Sequence, residues 1–169
     1  LLVIPADLAY GDQAQGPIQA GDTLVFVVDI LAAFTGTESA KGSLTPTEDD
    51  SLPAVTVLPR KPELFVPPGN PPPNLVAVPV ATGKGPKVQS GDTVVVQYVG
   101  VTWSKGKEFD SSWSRSEVFV TPIGGGQVIP GWDQGLVGKT VGSRVLLVVP
   151  PKLGYGNQGS GSIKPGETL

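Results

Sequence analysis

A chain of 169 residues with 39% hydrophobic and 16% charged side chains can build one well-packed domain and part of another, and a formal net charge of −3 without a Lys/Arg cluster offers nucleic acid no electrostatic footprint. The absence of both cysteine and histidine removes thiol nucleophiles, disulfides, imidazole acid–base chemistry and nearly every zinc site together. Glycine (23) and proline (18) are abundant, so short strands and turns are expected in place of long helices.

The chain opens on "LLVIPADLAYG" (Leu1 to Gly11), and nearly the same phrase, "LLVVPPKLGYG", returns from Leu146 to Gly156. At that constant offset Gln13 matches Gln158, Gly16 matches Gly161, Ile18 matches Ile163, Gly21 matches Gly166, and Thr23-Leu24 matches Thr168-Leu169. This is an internal repeat. Residues 1–34 suggest a strand from Leu1 to Ile4 and a loop built on Tyr10, Gly11, Gly16 and Pro17. A second strand is expected from Thr23 to Leu31, with Leu24, Phe26, Val28 and Ile30 on one face. The run "LVFVVDILAAF" within it is the longest apolar stretch, but it has about half the length a membrane helix needs and contains Asp29, so no membrane span is expected.

From Thr35 to Asn74 the chain turns to Thr, Ser, Glu, Asp and repeated prolines, as in "LFVPPGNPPPN", and is expected to be an extended linker of polyproline character (35–74). A second unit follows over 75–169. Its "DTVVVQYVGVTW" (Asp92 to Trp103) alternates like a half-buried strand and turns back through Gly106 as a hairpin. A short strand is expected over Val118–Ile123, and a helix between Pro130 and Val137, with proline in its first turn and Gly138 just past its end. Gly142–Pro150 supplies another strand. The sum is a strand-dominated α+β domain with one short helix.

Each candidate functional residue has an ordinary explanation when taken singly. Tyr98 suits a core aromatic, Phe109-Asp110-Ser111-Ser112 a strand end followed by an Asx turn, Trp132 a core plug and Tyr155 a loop anchor. No catalytic triad or closely spaced carboxylate pair is visible, and Gly124–Gly126 lacks the Lys-Ser/Thr of a phosphate loop. The segments "VVVQYVG", "GKEFDSSWSR", "GGGQVIPGWDQGLVG", "VGSRVLLVVPPKLGYG" and "IKPGETL" are more specific as an ordered set. Together they resemble the FKBP-type peptidyl-prolyl cis-trans isomerases over essentially all of residues 75–169. Residues 1–34 resemble the last third of the same domain, as in the tandem members familiar in actinobacteria.

The resemblance implies a twisted antiparallel sheet wrapped around one short helix, with a pocket between them lined by Tyr98, Phe109, Asp110, Phe119, Val128, Ile129, Trp132, Tyr155 and Ile163. It implies that Trp132 forms the floor, that the Ile129 N–H and the Tyr155 hydroxyl bind substrate carbonyls, that Asp110 lies near the amide carbon, and that Arg115 supports Tyr98 and Asp110. Gln127 stands where many members carry glutamate. The family's last pocket phenylalanine falls two places after the Thr-Leu pair, a position filled by Phe26 in the first copy, so the strand Thr23–Leu31 is a candidate to supply Phe26 to the second unit. The other reading is that the chain is a window cut from a longer tandem protein, with 1–34 the C-terminal part of a first domain and 75–169 a second domain lacking its last strand. Expected partners are proline-containing polypeptides and, as family ligands, macrolide immunosuppressants; no cofactor or metal is expected. Isomerase activity and a non-catalytic proline-binding or scaffolding role both remain open at this point. The Pro/Thr-rich linker and the lack of cysteine lean toward a secreted or envelope-attached bacterial protein, with the cytoplasm as the alternative.

Overall fold

Short β-branched runs separated by glycine turns give short ladders, and the computed structural model describes them for residues 1–45, 49–56 and 61–169. The chain divides into two units, Leu1–Ala33 and Phe34–Leu169. In the first, β1 (Leu2–Ile4) pairs antiparallel with β2 (Leu24–Phe26), Leu2 lying opposite Phe26 and Ile4 opposite Leu24. The strand expected to reach Leu31 stops at Phe26. β1 offers three residues of ladder, and among the described residues Val27 to Leu31 pair with no strand. No residue of 1–33 is buried.

The repeat noted in the sequence is also a repeat of local backbone. A 3₁₀ turn over Ala6–Leu8 matches one over Pro151–Leu153. The Gly11 N–H donates to the Ala6 carbonyl as the Gly156 N–H donates to that of Pro151, both at 2.8 Å. The bridge Gln15–Ile18 likewise matches Ser160–Ile163.

The second unit contributes, in chain order, β3 (Ser43–Leu44), β4 (Ala54–Val55), β5 (Leu64–Phe65), β6 (Val76–Thr82), β7 (Thr93–Val96), β8 (Val99–Val101), β9 (Glu108–Ser111), α1 (Ser112–Arg115), β10 (Phe119–Pro122), α2 (Pro130–Leu136) and β11 (Arg144–Val148). β6 lies between β11 and β3, and β7 pairs with β10, β8 with β9 and β4 with β5, all antiparallel. The β8 and β11 regions meet through the last two residues: the Trp103 N–H donates to the Thr168 carbonyl at 2.9 Å, while Leu169 and Val149 exchange two bonds of 2.7 and 3.0 Å. Ile123, Val148 and Val149 are essentially closed to solvent at 0%, 1% and 2% exposure. α2 packs onto β11 and β6 at close range because Gly131 and Gly135 face them. A Cβ on Gly131 would run into the Val149 methyls, and one on Gly135 would stand 2.6 Å from Leu147 Cδ2.

Three expectations change. The single strand Asp92–Trp103 becomes β7 and β8, because at Gln97–Tyr98 the hydrogen bonds go to Ser112 instead of a ladder. The Tyr98 N–H donates to Ser112 Oγ at 2.8 Å, and the Ser112 N–H to the Tyr98 carbonyl at 3.1 Å. The expected strand end is present, β9 running to Ser111, but a helical turn capped by Ser111 follows it where an Asx turn was expected. The described part of 35–74 is folded onto the second unit instead of running free as an extended linker. β3 extends the β6 sheet, and β4 and β5 form their own ladder. The Gly36 carbonyl accepts Gln97 Nε2 at 2.6 Å, Ser39 Oγ accepts from Arg144 at 2.8 Å, Lys61 pairs with Glu108 at 2.8 Å, and the Gly69 carbonyl accepts Trp103 Nε1 at 3.0 Å. Residues 46–48 and 57–60 of that segment lie outside the described residues.

Candidate active site

The break between β7 and β8 puts Tyr98 at a point where the chain is held by Ser112. Its ring meets two others edge-on: Phe119 of β10 at 5.7 Å between centroids and 69°, and Trp132 of α2 at 5.2 Å and 85°. Phe119 and Trp132 close the triangle at 6.0 Å and 79°. Edge-to-face contacts of this kind are each worth about 0.5–1.5 kcal/mol beyond area burial and fix the rings' orientation. Three rings from three elements therefore form one rigid aromatic surface.

A polar network is attached to it through Tyr98. The Tyr98 hydroxyl donates to Asp110 Oδ2, and Arg115 donates to both Asp110 Oδ1 and the Tyr98 oxygen, the latter at 2.9 Å. The guanidinium carbon also stands 5.7 Å from the Tyr98 ring centroid. The Ser111 N–H adds a bond of 2.8 Å to Asp110 Oδ1. Partial burial opposes ionisation of Asp110, but the bonds from Tyr98, Arg115 and the Ser111 N–H together hold its carboxyl below the usual aspartate range. Burial and the neighbouring carboxylate push the Tyr98 phenol up. Asp110 is thus a fixed anion and Tyr98 a neutral donor at neutral pH. Local sequence explains the fixing: the Ser111 cap starts a single turn that ends on Arg115, five residues beyond the carboxylate it binds.

Phe109 follows from the same hairpin, where its ring covers Gly100 of the facing strand so closely that a Cβ there would stand 2.9 Å from Phe109 Cε2. Val128 and Ile129 lead directly into α2. Ile129 is the residue before its first turn, with φ −57° and ψ 144°, and its carbonyl accepts the Trp132 N–H at 2.9 Å. Its own N–H has no acceptor among the described residues. Ile163 is 7% exposed. Tyr155 is 38% exposed, and its hydroxyl has no hydrogen-bond partner among the described residues. Phe26, the expected outer wall, belongs to the first unit, opposite Leu2 and 44% exposed.

A family model for FKBP-type peptidyl-prolyl cis-trans isomerase matches residues 85–169, the part that carries every one of these groups except Phe26. The chain belongs to the FKBP-type isomerases. An FK506-binding protein of Streptomyces anulatus is 50% identical over 112 residues, which is 65% of this chain and 90% of that protein. FK506-binding protein 2B of Rhizopus delemar is 51% identical over 80 residues, 47% of this chain and 38% of that longer relative. The crystal structure of AtFKBP13 aligns with 34% identity and a TM-score of 0.52, covering 56% of this chain and 84% of that one. The FKBP fold and the activity expected from the sequence therefore hold: this is a peptidyl-prolyl cis-trans isomerase, and its sheet-and-helix architecture is the FKBP one. Two parts of the FKBP site carried no single-residue signal. Ser112 orders Tyr98 through its hydroxyl, and Asp133, beside Trp132, binds the glycine loop ahead of Ile129. A Ser-Ser pair after an aspartate is the signal that would have pointed to the first.

Proposed function

We propose that the isomerase acts on X-Pro bonds of polypeptides bound over the Tyr98–Phe119–Trp132 triangle, without a covalent intermediate. Rotation about the X-Pro bond faces a barrier of about 20 kcal/mol, set by amide resonance. A catalyst has only to favour the twisted amide over the planar one. The proline ring rests on Trp132, with Phe109, Phe119, Val128 and Ile163 as apolar walls. Water stabilises the charge-separated planar amide more than the twisted form, so excluding it lowers the barrier. The Ile129 N–H and the Tyr155 hydroxyl, both without a protein partner among the described residues, bind substrate carbonyls. Asp110, held anionic by Tyr98 and Arg115, faces the rotating carbonyl carbon and favours the twisted state electrostatically.

The observation that carries this reading is the combination of a rigid three-ring surface with a fixed anion joined to it through one hydroxyl. The same surface is suited to a macrolide ligand, in keeping with relatives named as FK506-binding proteins. Residues 1–34, which repeat the local backbone of the Tyr155 loop but hold no counterpart of Tyr98, Asp110 or Trp132, form the closing part of a first FKBP-like unit and contribute no site of their own. A protease-coupled proline-peptide assay on the full chain tests the mechanism. Turnover above the spontaneous rate that a macrolide competes away supports it; turnover no faster than spontaneous, with proline ligands still bound, rejects catalysis in favour of a binding module.

A further inference from the structure

Asp133 stands in the first turn of α2, outside the groups placed against the substrate. Its carboxylate accepts two backbone bonds of 2.7 Å, Oδ1 from the Gly124 N–H and Oδ2 from the Gly126 N–H. Its own N–H and that of Trp132 reach back to the Ile129 carbonyl, at 3.4 and 2.9 Å. One residue thereby closes a ring around Gly124–Ile129, gripping the glycine loop with its side chain and the far end of the segment with its backbone.

The two ends of the loop differ in how they are held. Upstream, Ile123 is fully buried and is bonded to Gly91 and Asp92 at 2.7 and 2.9 Å. Gly124 and Gly126 have φ of 82° and 74°, a backbone that turns both N–H groups toward one point and that side chains rarely adopt. Among the described residues, no acceptor other than Asp133 takes an N–H from residues 124–128. A carboxylate receiving two N–H groups is the strong, charge-assisted kind of anchor.

We propose that Asp133 is a positioning residue for the reaction: by clamping Gly124 and Gly126 it fixes the direction in which Ile129 offers its N–H to the substrate carbonyl. This rests on the role given to Ile129 above, and the experiment separates the two. In the full chain, Asp133→Ala, Asp133→Asn, Asp133→Glu and Ile129→Pro are compared for kcat, KM and urea stability. The Ile129 N–H serves planar and twisted amide alike, so Asp133→Ala raises KM about tenfold with kcat changed less than about threefold. Asparagine, which keeps one acceptor but turns an NH2 group toward a backbone N–H, falls between alanine and wild type. Glutamate, with both oxygens and one more methylene, restores KM to within about threefold. Ile129→Pro deletes the N–H at a φ that proline accepts. If Ile129→Pro keeps the wild-type KM, the role of Ile129 itself is wrong. If it loses affinity while Asp133→Ala does not, the positioning role alone is overturned. A loss in Asp133→Ala that glutamate fails to restore and that follows the urea midpoint marks a purely structural residue and also overturns the proposal.

Discussion

Replacing Gly131 by alanine tests whether the short distance between α2 and β11 sets the pocket. In an isolated helix the change is favourable, since alanine exceeds glycine by about 1 kcal/mol of helix propensity. Here the added Cβ meets Val149, whose Cγ1 lies directly in its way and whose Cγ2 is 2.9 Å off. Val149 is 2% exposed, β-branched and bonded through its backbone to Leu169, so it has little freedom to turn aside. Overpacking of a closed core costs about 1–3 kcal/mol, and the stiffness of Val149 puts this case in the upper part of that range. The clash therefore outweighs propensity, for a net loss of about 1–2 kcal/mol. Gly135→Ala meets the end of the Leu147 side chain, which can swing away, and comes out within about 1 kcal/mol of wild type. Urea titrations of both variants, read at constant m-value, give the two numbers. A Gly131→Ala protein as stable as wild type, or less affected than Gly135→Ala, refutes the view that the glycine pair exists to bring the Trp132 helix onto the sheet.

Asp110→Ala lowers kcat/KM by about ten- to a hundredfold, the kinetic equivalent of one charge-assisted interaction, while the circular dichroism spectrum stays that of the wild type. Tyr155→Phe lowers kcat/KM by about two- to tenfold through loss of a neutral hydrogen bond, whereas Tyr10→Phe leaves it unchanged, and parallel assays of the two give the contrast. The pH dependence follows from the two shifts in the Tyr98–Asp110–Arg115 network. Asp110 is lowered from 3.8, so its contribution to stability is complete above that value and disappears as pH falls through its lower folded value; Tyr98 is raised from 10.0, so its contribution is complete below that value and disappears as pH rises through its higher folded value. Stability and kcat/KM are accordingly expected to be insensitive to this network between about pH 5 and 9, and a titration step within that window assigned to either residue by NMR contradicts the hydrogen bonds described.

What the sequence revealed and what it concealed divide by the range of the interactions. The hairpin through Gly106 and the helix opened by Pro130 are set by neighbours within a few residues, and both appear where the turn and capping residues place them. The site was legible through the order of its segments rather than through any one residue, because Tyr98, Asp110 and Trp132 come together only when three elements pack. Residues 35–74 misled for the complementary reason. Their proline and polar composition describes a segment with little structure of its own, but the groups that hold it, Gln97, Trp103, Glu108 and Arg144, lie 34 to 105 positions away in sequence. The separate strands β7 and β8 were hidden too, since the bonds that break the ladder at Tyr98 come from the hydroxyl and backbone N–H of Ser112, fourteen residues on.

The repeat supplies a comparison that separates these two ranges within one chain. The tyrosine loop has the same 3₁₀ turn, the same 2.8 Å closing bond and the same small bridge in both copies. Burial differs completely: Leu146, Val148 and Thr168 are 4%, 1% and 5% exposed, whereas Leu1 and Val3, the counterparts of the first two, are 82% and 61% exposed, and Thr23 is exposed as well. A loop that keeps its shape whether or not its flanks are buried draws that shape from its own turns, not from the core. The presentation of Tyr155 is therefore set by local turns, and the ordering entropy of the loop is not charged against substrate binding. The pocket's aromatic groups are of the opposite kind: Tyr98, Phe119 and Trp132 take their positions from packing against one another, and that is the part of the site which mutations in the sheet and helix can disturb.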